Sequence, residues 1–113
     1  MFRRLISILL LVVISLSHLA PKAAAQLRSS GKRKLVVQVS PEYPALARKM
    51  HLSGTVRLLA TVNAAGKVTK TELLGGNPVL AEAAADAAVK SRWESGTAET
   101  KEMVEVKFQP ESD

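Results

Sequence analysis

Two segments of this chain alternate apolar and polar residues, and this alternation limits the fold more than any other feature of the sequence. In segment 55–62 the apolar residues on one side are Val56, Leu58, Ala60 and Val62. In segment 104–108 they are Val104, Val106 and Phe108, separated by Glu105 and Lys107. Because successive side chains of a β-strand point to opposite faces, each segment predicts a strand with one buried face. The chain therefore needs a second layer to cover those faces.

A β-hairpin is predicted from the first of these segments onward. The sequence Asn63-Ala64-Ala65-Gly66 follows the first strand and is typical of a turn, in which Gly66 supplies a positive φ. A second strand begins near Val68 and runs to Leu74, so the two strands should pair in an antiparallel hairpin. The apolar pattern of this second strand is weak, and the sequence leaves its register open.

One helix is predicted before the hairpin and one after it. Pro44 is suited to the first position of a short helix through Arg48, because the missing N–H of proline costs nothing there. The second helix has Asn77 as its N-cap and Pro78 in its first turn, and it runs to about Arg92. Its predicted inner stripe consists of one leucine and four alanines: Leu80, Ala83, Ala84, Ala87 and Ala88.

The predicted elements follow one another as helix, strand, strand, helix and strand. We therefore predict an α+β fold, in which two helices pack on one face of a three-stranded antiparallel sheet. The domain is expected to span residues 35–110, with an extended run at 35–39 and a tail at 111–113. Trp93, the one tryptophan, is expected in the core. The chain has no cysteine, so its core must hold the fold without disulfides.

The first 25 residues have the features of an export signal. Arg3 and Arg4 precede an apolar run at 5–16, and Ala23-Ala24-Ala25 supplies the small residues that a signal peptidase requires. We interpret residues 1–25 as a cleaved signal peptide and residues 26–34 as a basic flexible linker. The alternative is an uncleaved inner-membrane anchor, although the run falls short of the roughly 20 residues of a comfortable span. Membrane association is expected only if the segment stays attached.

The positive charge of the chain is concentrated at its amino-terminal end. The sequence has 16 Lys and Arg residues against 10 Asp and Glu, but seven of the basic residues precede Leu35, which leaves 9 after that point. All 10 acidic residues lie in the later part, so the predicted domain is nearly neutral. A nucleic-acid groove requires basic side chains spread over a folded face, and this distribution argues against one.

No arrangement of reactive side chains predicts catalysis. Glu82 and Asp86 share an outward helix face without a histidine, nucleophile or metal ligand in register, and we interpret them as solvated charges. Gly75-Gly76 lacks the spacing of a phosphate-binding loop and is explained as a turn and helix cap. His51 has no second ligand at metal-binding spacing. We therefore expect no catalytic residue, no metal and no cofactor.

A series of short motifs carries a resemblance to a known family. The motifs are, in chain order, Tyr43-Pro44-x-x-Ala47-Arg48, Gly54-x-Val56, Gly66-x-Val68 and an alanine-rich segment that ends at Trp93. From about residue 39 to residue 108, the sequence resembles the C-terminal domain of TonB, the periplasmic energy transducer of Gram-negative bacteria. The resemblance implies a protein-binding domain of the periplasm that performs no chemistry, with its final strand at an exposed edge of the sheet.

The same resemblance implies how a partner binds. An extended peptide of an outer-membrane receptor or other envelope protein would add to the sheet edge, and TonB-dependent transport is one process that such binding could serve. The expected partner-binding residues lie in the final strand and before the first helix: Met103, Val104, Glu105, Val106, Lys107 and Phe108, with Gln38, Val39 and Tyr43. The alternative is a dimeric, self-associating envelope protein without energy transduction, in which the same edge pairs with its copy.

We predict that the mature protein begins near Gln26, because the apolar run is short, Pro21 ends it, and Ala23 and Ala25 meet the small-residue requirement. Intact-mass analysis of protein from an exporting cell should show a chain without residues 1–25. A product in the membrane fraction that retains those residues would contradict this prediction and would identify an anchor.

Overall fold

The computed structural model describes residues 23–110, which form six strands and two helices. The strands are β1 (Ala24–Ser30), β2 (Leu35–Val37), β3 (Gly54–Val62), β4 (Val68–Gly75), β5 (Arg92–Trp93) and β6 (Thr100–Gln109). The helices are α1 (Ala45–Lys49) and α2 (Pro78–Lys90). Within residues 23–110, neither helix has the length and apolarity that a membrane crossing requires. Residues 1–22 of the predicted signal peptide and the predicted tail at 111–113 lie outside the described residues.

The main sheet has four antiparallel strands in the order β1-β6-β3-β4. β3 and β6 pair along their alternating segments, with Val56 opposite Val106 and Leu58 opposite Val104. Their inward side chains are buried and form the core together with Leu27 of β1. A second, small sheet pairs β2 with β5. The predicted α+β class with an antiparallel sheet is confirmed, and the three predicted strands of the sheet are extended to four.

The hairpin turn contains a glycine for two reasons, of which the sequence predicted one. Gly66 has a φ of 88°, as its position in the turn requires. Its N–H donates to Asn63 O at 3.0 Å, and its own carbonyl accepts from Trp93 N at 3.0 Å. A Cβ at this position would lie 2.1 Å from Trp93 O, so the turn also needs glycine because another part of the chain packs directly against it.

Helix α2 begins where the sequence predicts. Asn77 Oδ1 accepts a hydrogen bond from Val79 N at 2.8 Å, and Pro78 is the first helical residue. The buried side chains of the helix are Leu80, Ala81, Ala84, Ala87 and Ala88. Ala81 therefore replaces Ala83 in the predicted stripe, because Ala83 is only half-buried and lines an open groove. The helix ends at Lys90, before the predicted end, because the following residues form β5.

The short first helix is also close to its prediction. α1 begins one residue later than expected, because Pro44 has an extended ψ of 139° and is the N-cap rather than the first helical residue. Ala47 is its buried side chain and belongs to the core.

Residues 26–30 of the predicted flexible linker at 26–34 are part of the main sheet, and residues 31–34 form the loop to β2. β1 pairs with β6 over seven positions, from Ala24 opposite Gln109 to Ser30 opposite Met103. The five positions from Gln26 onward lie in the predicted mature chain, whereas Ala24 and Ala25 lie in the predicted signal peptide. The final strand is therefore a central strand, and this chain's own segment covers the edge that the resemblance implied to be exposed. The sequence does not reveal β1 because Leu27 is its only large apolar residue, and one residue sets no period.

Arg33, which the sequence analysis places in the basic flexible linker, is buried and connects several loops. Its guanidinium donates to the carbonyl oxygens of Val62 at 3.1 Å and Asn63 at 2.5 Å, at the end of β3. It also donates to those of Glu94 at 3.4 Å and Ala98, in the loop before β6. A guanidinium presents five donors in a rigid fork, which suits several carbonyls at once. Arg33 thereby holds the β1–β2 loop against the rest of the domain.

We predict that Arg33→Met lowers the free energy of unfolding by about 2 to 4 kcal/mol, since several carbonyl oxygens lose their donor. For a domain of this size the corresponding drop in Tm is roughly 10 to 20 °C. Lys32→Met is the matched control, because Lys32 is exposed and its replacement removes the same charge. We expect the control to lie within about 0.5 kcal/mol of wild type in thermal and urea denaturation. Equal stability of the two variants would contradict the structural role of Arg33.

Candidate functional site

The candidate site is the edge of β6 that faces away from β3. On the β3 side, β6 is paired from Thr100, opposite Val62, to Phe108, opposite Gly54. On the other side, its main chain is paired with β1. An extended segment of seven residues therefore already lies where a partner peptide is predicted to lie.

The side chains of β6 divide between the two faces of the sheet. Val104, Val106 and Phe108 point into the core and are almost inaccessible. Glu105 and its neighbours at 103 and 107 lie on the other, open face, where Glu105 Oε2 is 3.9 Å from Arg57 Nε. A pair this long and exposed contributes little to stability. What β6 offers a partner is thus mainly its main chain.

Two of the predicted residues before α1 are engaged in contacts within the chain. Gln38 Nε2 donates to Leu27 O at 2.7 Å, which ties this segment to β1. Val39 N donates to Ser91 Oγ at 3.2 Å, which ties it to the end of α2. The structure therefore brings Gln38 to the predicted edge, but through β1 rather than through β6.

Tyr43 is the third predicted residue before α1, and it contacts β6 directly. Its ring packs edge-on against Phe108, with the ring centroids 5.5 Å apart and the planes at 88°. Its hydroxyl donates to Leu52 O, beyond α1. Tyr43 therefore covers the end of β6 at which Ala24 and Ala25 of β1 are paired.

The residues of β1 belong to this site, although the sequence does not predict them. Leu27 is 1% exposed and joins the core cluster. Two residues further on, Ser29 Oγ accepts a hydrogen bond from the indole Nε1 of Trp93 at 2.9 Å. Gln26 and Arg28, which alternate with them, are exposed. The alternation of Leu27 and Ser29 is the one signal in the sequence that points to β1, and it is too short to distinguish a strand from a linker.

Glu102 is fully buried beneath the loop that follows β1. Its Oε1 accepts from Thr100 Oγ1 at 2.9 Å, whereas its Oε2 has no hydrogen-bond partner among residues 23–110. The carboxyl group lies directly against Gly31, where a Cβ would be 1.7 Å from Oε2. A buried polar atom without a partner destabilises the conformation that buries it. The junction between β1 and its loop is therefore a weak point of the sheet.

A separate open groove of about 700 Å³ lies between segment 39–46 and α2. Its apolar lining consists of Val39, Pro44, Leu46, Pro78, Val79, Ala83 and Ala87. Glu82 and Asp86 lie on this groove together with Glu42 and Lys90. No histidine lines the groove, so its carboxylates have no imidazole partner for proton transfer there. Within residues 23–110, no three His, Cys, Asp or Glu side chains come together in a way that could hold a metal ion.

Comparisons with known proteins bear on the family and the fold. Residues 39–111 match the family described as Gram-negative bacterial TonB protein C-terminal. The fold is similar to the solution NMR structure of the Pseudomonas aeruginosa TonB CTD, with a TM-score of 0.56 and 19% sequence identity. That alignment covers 74% of this chain and 91% of the other, and at such low identity it shows the fold alone. No curated protein matches the sequence.

We predict that Trp93→Ala lowers the free energy of unfolding by about 3 to 5 kcal/mol, because its ring is buried in the core. Ser29→Ala, which removes only the acceptor of the indole N–H, should cost about 1 kcal/mol. Chemical denaturation of both variants measures the difference. A Trp93→Ala protein that unfolds within a few degrees of wild type would contradict the core assignment and favour a ligand-stacking role.

Proposed function

The chain belongs to the family of Gram-negative bacterial TonB protein C-terminal domains, and we propose that it is a periplasmic protein-binding module without enzymatic activity. Its partner is an extended segment of an outer-membrane receptor or another envelope protein. TonB-dependent transport is the process in which such binding would act. The family match covers most of the described residues, so it supports a binding role for the domain as a whole.

The proposed location of the site rests on one observation, the pairing of β6 with β1. The edge of β6 accepts an extended antiparallel segment over seven positions, in the form of β1. This pairing supports the edge at 103–108 as a place where a partner's main chain can form a ladder, with Gln38, Val39 and Tyr43 beside it. The edge is geometrically regular, because the register with β1 runs without a bulge.

Main-chain pairing accounts for the chemistry that such a partner needs. In β-strand addition, N–H and C=O groups supply most of the contacts, and alternate side chains supply selectivity. Side chains of the partner that face the core side would meet apolar residues, and those on the open face would meet Glu105 and Lys107. Exposed charges of that kind influence the rate of association more than the affinity.

Self-association is the second candidate, and the opposite edge of the sheet favours it. β4 is the outermost strand on that side, and both Leu73 and Leu74 are about half exposed. An unpaired strand edge with apolar side chains can pair with its copy. Sedimentation velocity of the exported protein over a hundredfold concentration range separates the two candidates, because only a dimer would change its sedimentation coefficient without an added peptide.

The proposed binding can be tested by NMR on the isotopically labelled exported protein. The probes are synthetic peptides that copy the periplasm-facing segments of outer-membrane receptors encoded in the same genome. We expect a binding peptide to shift the amide signals of residues 103–108 and of β1 most strongly. A control peptide with proline at every second position should bind at least tenfold more weakly, because proline cannot donate to a ladder.

Proline is introduced into the peptide rather than into the protein, because β6 is a central strand of the sheet. Glu105→Pro or Lys107→Pro would break a ladder bond to β1 or to β3, and the loss of fold would mask any loss of binding. Shifts confined to α2 and the groove beside it would contradict the proposed edge and would identify the groove as the binding surface.

A further inference from the structure

We propose that β1 is the internal occupant of the partner site and that the partner's segment replaces it. The inference rests on the proposed function and specifies the partner's side chains. The partner presents an aliphatic side chain at the position of Leu27 and, two residues later, a hydrogen-bond acceptor at the position of Ser29. It is an extended protein segment of about seven residues, paired antiparallel to β6 as β1 is.

The side-chain contacts of β1 define this pattern. Leu27 fills a place in the core, and Ser29 accepts from the indole N–H of Trp93 at 2.9 Å. Ala25 is partly buried against the core, whereas Gln26 and Arg28 are exposed. A segment that takes the place of β1 must fill the space of Leu27, since an empty pocket there would cost the contacts of a buried aliphatic side chain.

The hydrogen-bond acceptor at the position of Ser29 allows the site to discriminate between partner segments. When β1 leaves, Trp93 Nε1 loses the hydroxyl that accepts its hydrogen bond. A replacing segment that lacks an acceptor at this point would leave a buried donor without a partner. Sites built around a hydrogen bond reject ligands that cannot make it. Serine, threonine, asparagine or aspartate at this position of the partner would satisfy the indole.

The structure also provides a point at which β1 can separate. Arg33 anchors the loop after β1 through four main-chain carbonyl oxygens, so the loop can remain in place while the strand leaves. Gly31 lies between this anchor and the end of β1 and has no side chain to resist a change of φ and ψ. Separation would therefore occur at Ser30 and Gly31, and the rest of the fold would remain.

The buried Glu102 destabilises the state in which β1 is paired with β6. Its Oε2 is buried against Gly31 without a hydrogen-bond partner among the described residues. Movement of Gly31 and β1 would admit water to this carboxyl group, and its unmade hydrogen bond would be formed. This is a second reason to treat β1 as the exchangeable strand, because the unpartnered oxygen lies against Gly31, which directly follows β1.

A disulfide between β1 and β6 tests the replacement directly. The chain has no cysteine, so an introduced pair has no competing thiols. Arg28 and Glu105 lie opposite each other in the pairing of the two strands, on the open face of the sheet. The variant Arg28→Cys with Glu105→Cys is locked when oxidised and free when reduced, and the reduced form controls for both substitutions.

The probe is a fluorescent synthetic peptide with the sequence of residues 24–30. We expect the oxidised protein to bind it at least tenfold more weakly than the reduced protein does. Equal binding by both forms would overturn the replacement of β1, because the peptide would then add to an outer edge, and the binding function would stand. Failure of the proposed function has a different signature: the reduced protein binds this peptide but no receptor segment.

A variant that holds β1 less tightly provides the complementary test. A short loop holds β1 at an effective concentration of about millimolar, so the wild-type strand competes strongly with an added peptide. Leu27→Ala should increase the affinity for the peptide at least tenfold, whereas Lys32→Ala, at an exposed position of the loop after β1, should leave it within twofold. A peptide with Asp for its leucine should bind Leu27→Ala at least tenfold more weakly. A peptide with Ala for its first serine should bind about fivefold more weakly, which corresponds to the loss of one hydrogen bond. Absence of peptide binding to Leu27→Ala would overturn the inference.

Hydrogen exchange on the unmodified protein keeps the proposal testable if Leu27→Ala does not fold. An exchangeable strand must open without global unfolding. The amide protons of β1 should therefore exchange at least tenfold faster than those of β3 that are paired with β6. Equal rates in the two strands would overturn the proposal, because β1 would then leave only when the whole domain unfolds.

Discussion

The contacts of Trp93 are the constraint on which the rest of the structure depends. Its main-chain N–H donates to Gly66 at the hairpin turn, its indole N–H donates to Ser29 of β1, and it pairs with Leu35 of β2. Because the ring is buried, these contacts are made at the centre of a close-packed core. One residue thereby holds together the main sheet, the small sheet and the amino-terminal strand, which are far apart in the sequence.

Two buried polar side chains give the β1–β2 loop an uneven stability. Arg33 is compensated by several carbonyl oxygens, which is the condition under which a charged group can be buried. One carboxylate oxygen of Glu102 accepts a hydrogen bond, whereas the other has no partner within residues 23–110. The loop is therefore firmly held two residues after Gly31 and poorly held at Gly31 itself. A binding edge next to such a junction can be covered and uncovered while Arg33 holds the loop, provided that the core contacts of Leu27 are replaced.

The parts of the fold that could be predicted are those in which burial of one face produces a periodic pattern of apolar residues in the sequence. The alternation in β3 and β6 places their buried residues correctly, and the Asn77-Pro78 start of α2 is confirmed by the bond to Val79. The short motifs likewise identified the family, and two of their glycines, Gly54 and Gly66, have a positive φ that favours glycine. Of the predicted site, the sequence placed the residues of β6 in one strand, but it did not reveal what lies beside them.

By itself, then, the sequence determined the strand and helix segments with a buried face, the absence of disulfides and the family of the domain. Only the tertiary structure decided the neighbours of β6 and the burial of Arg33. Pairing along a strand edge uses main-chain groups that every residue except proline carries in full, so it leaves almost no trace in the side chains. Arg33 is invisible for a related reason: its carbonyl acceptors lie between 29 and 65 positions away, and no local pattern records a contact over that separation.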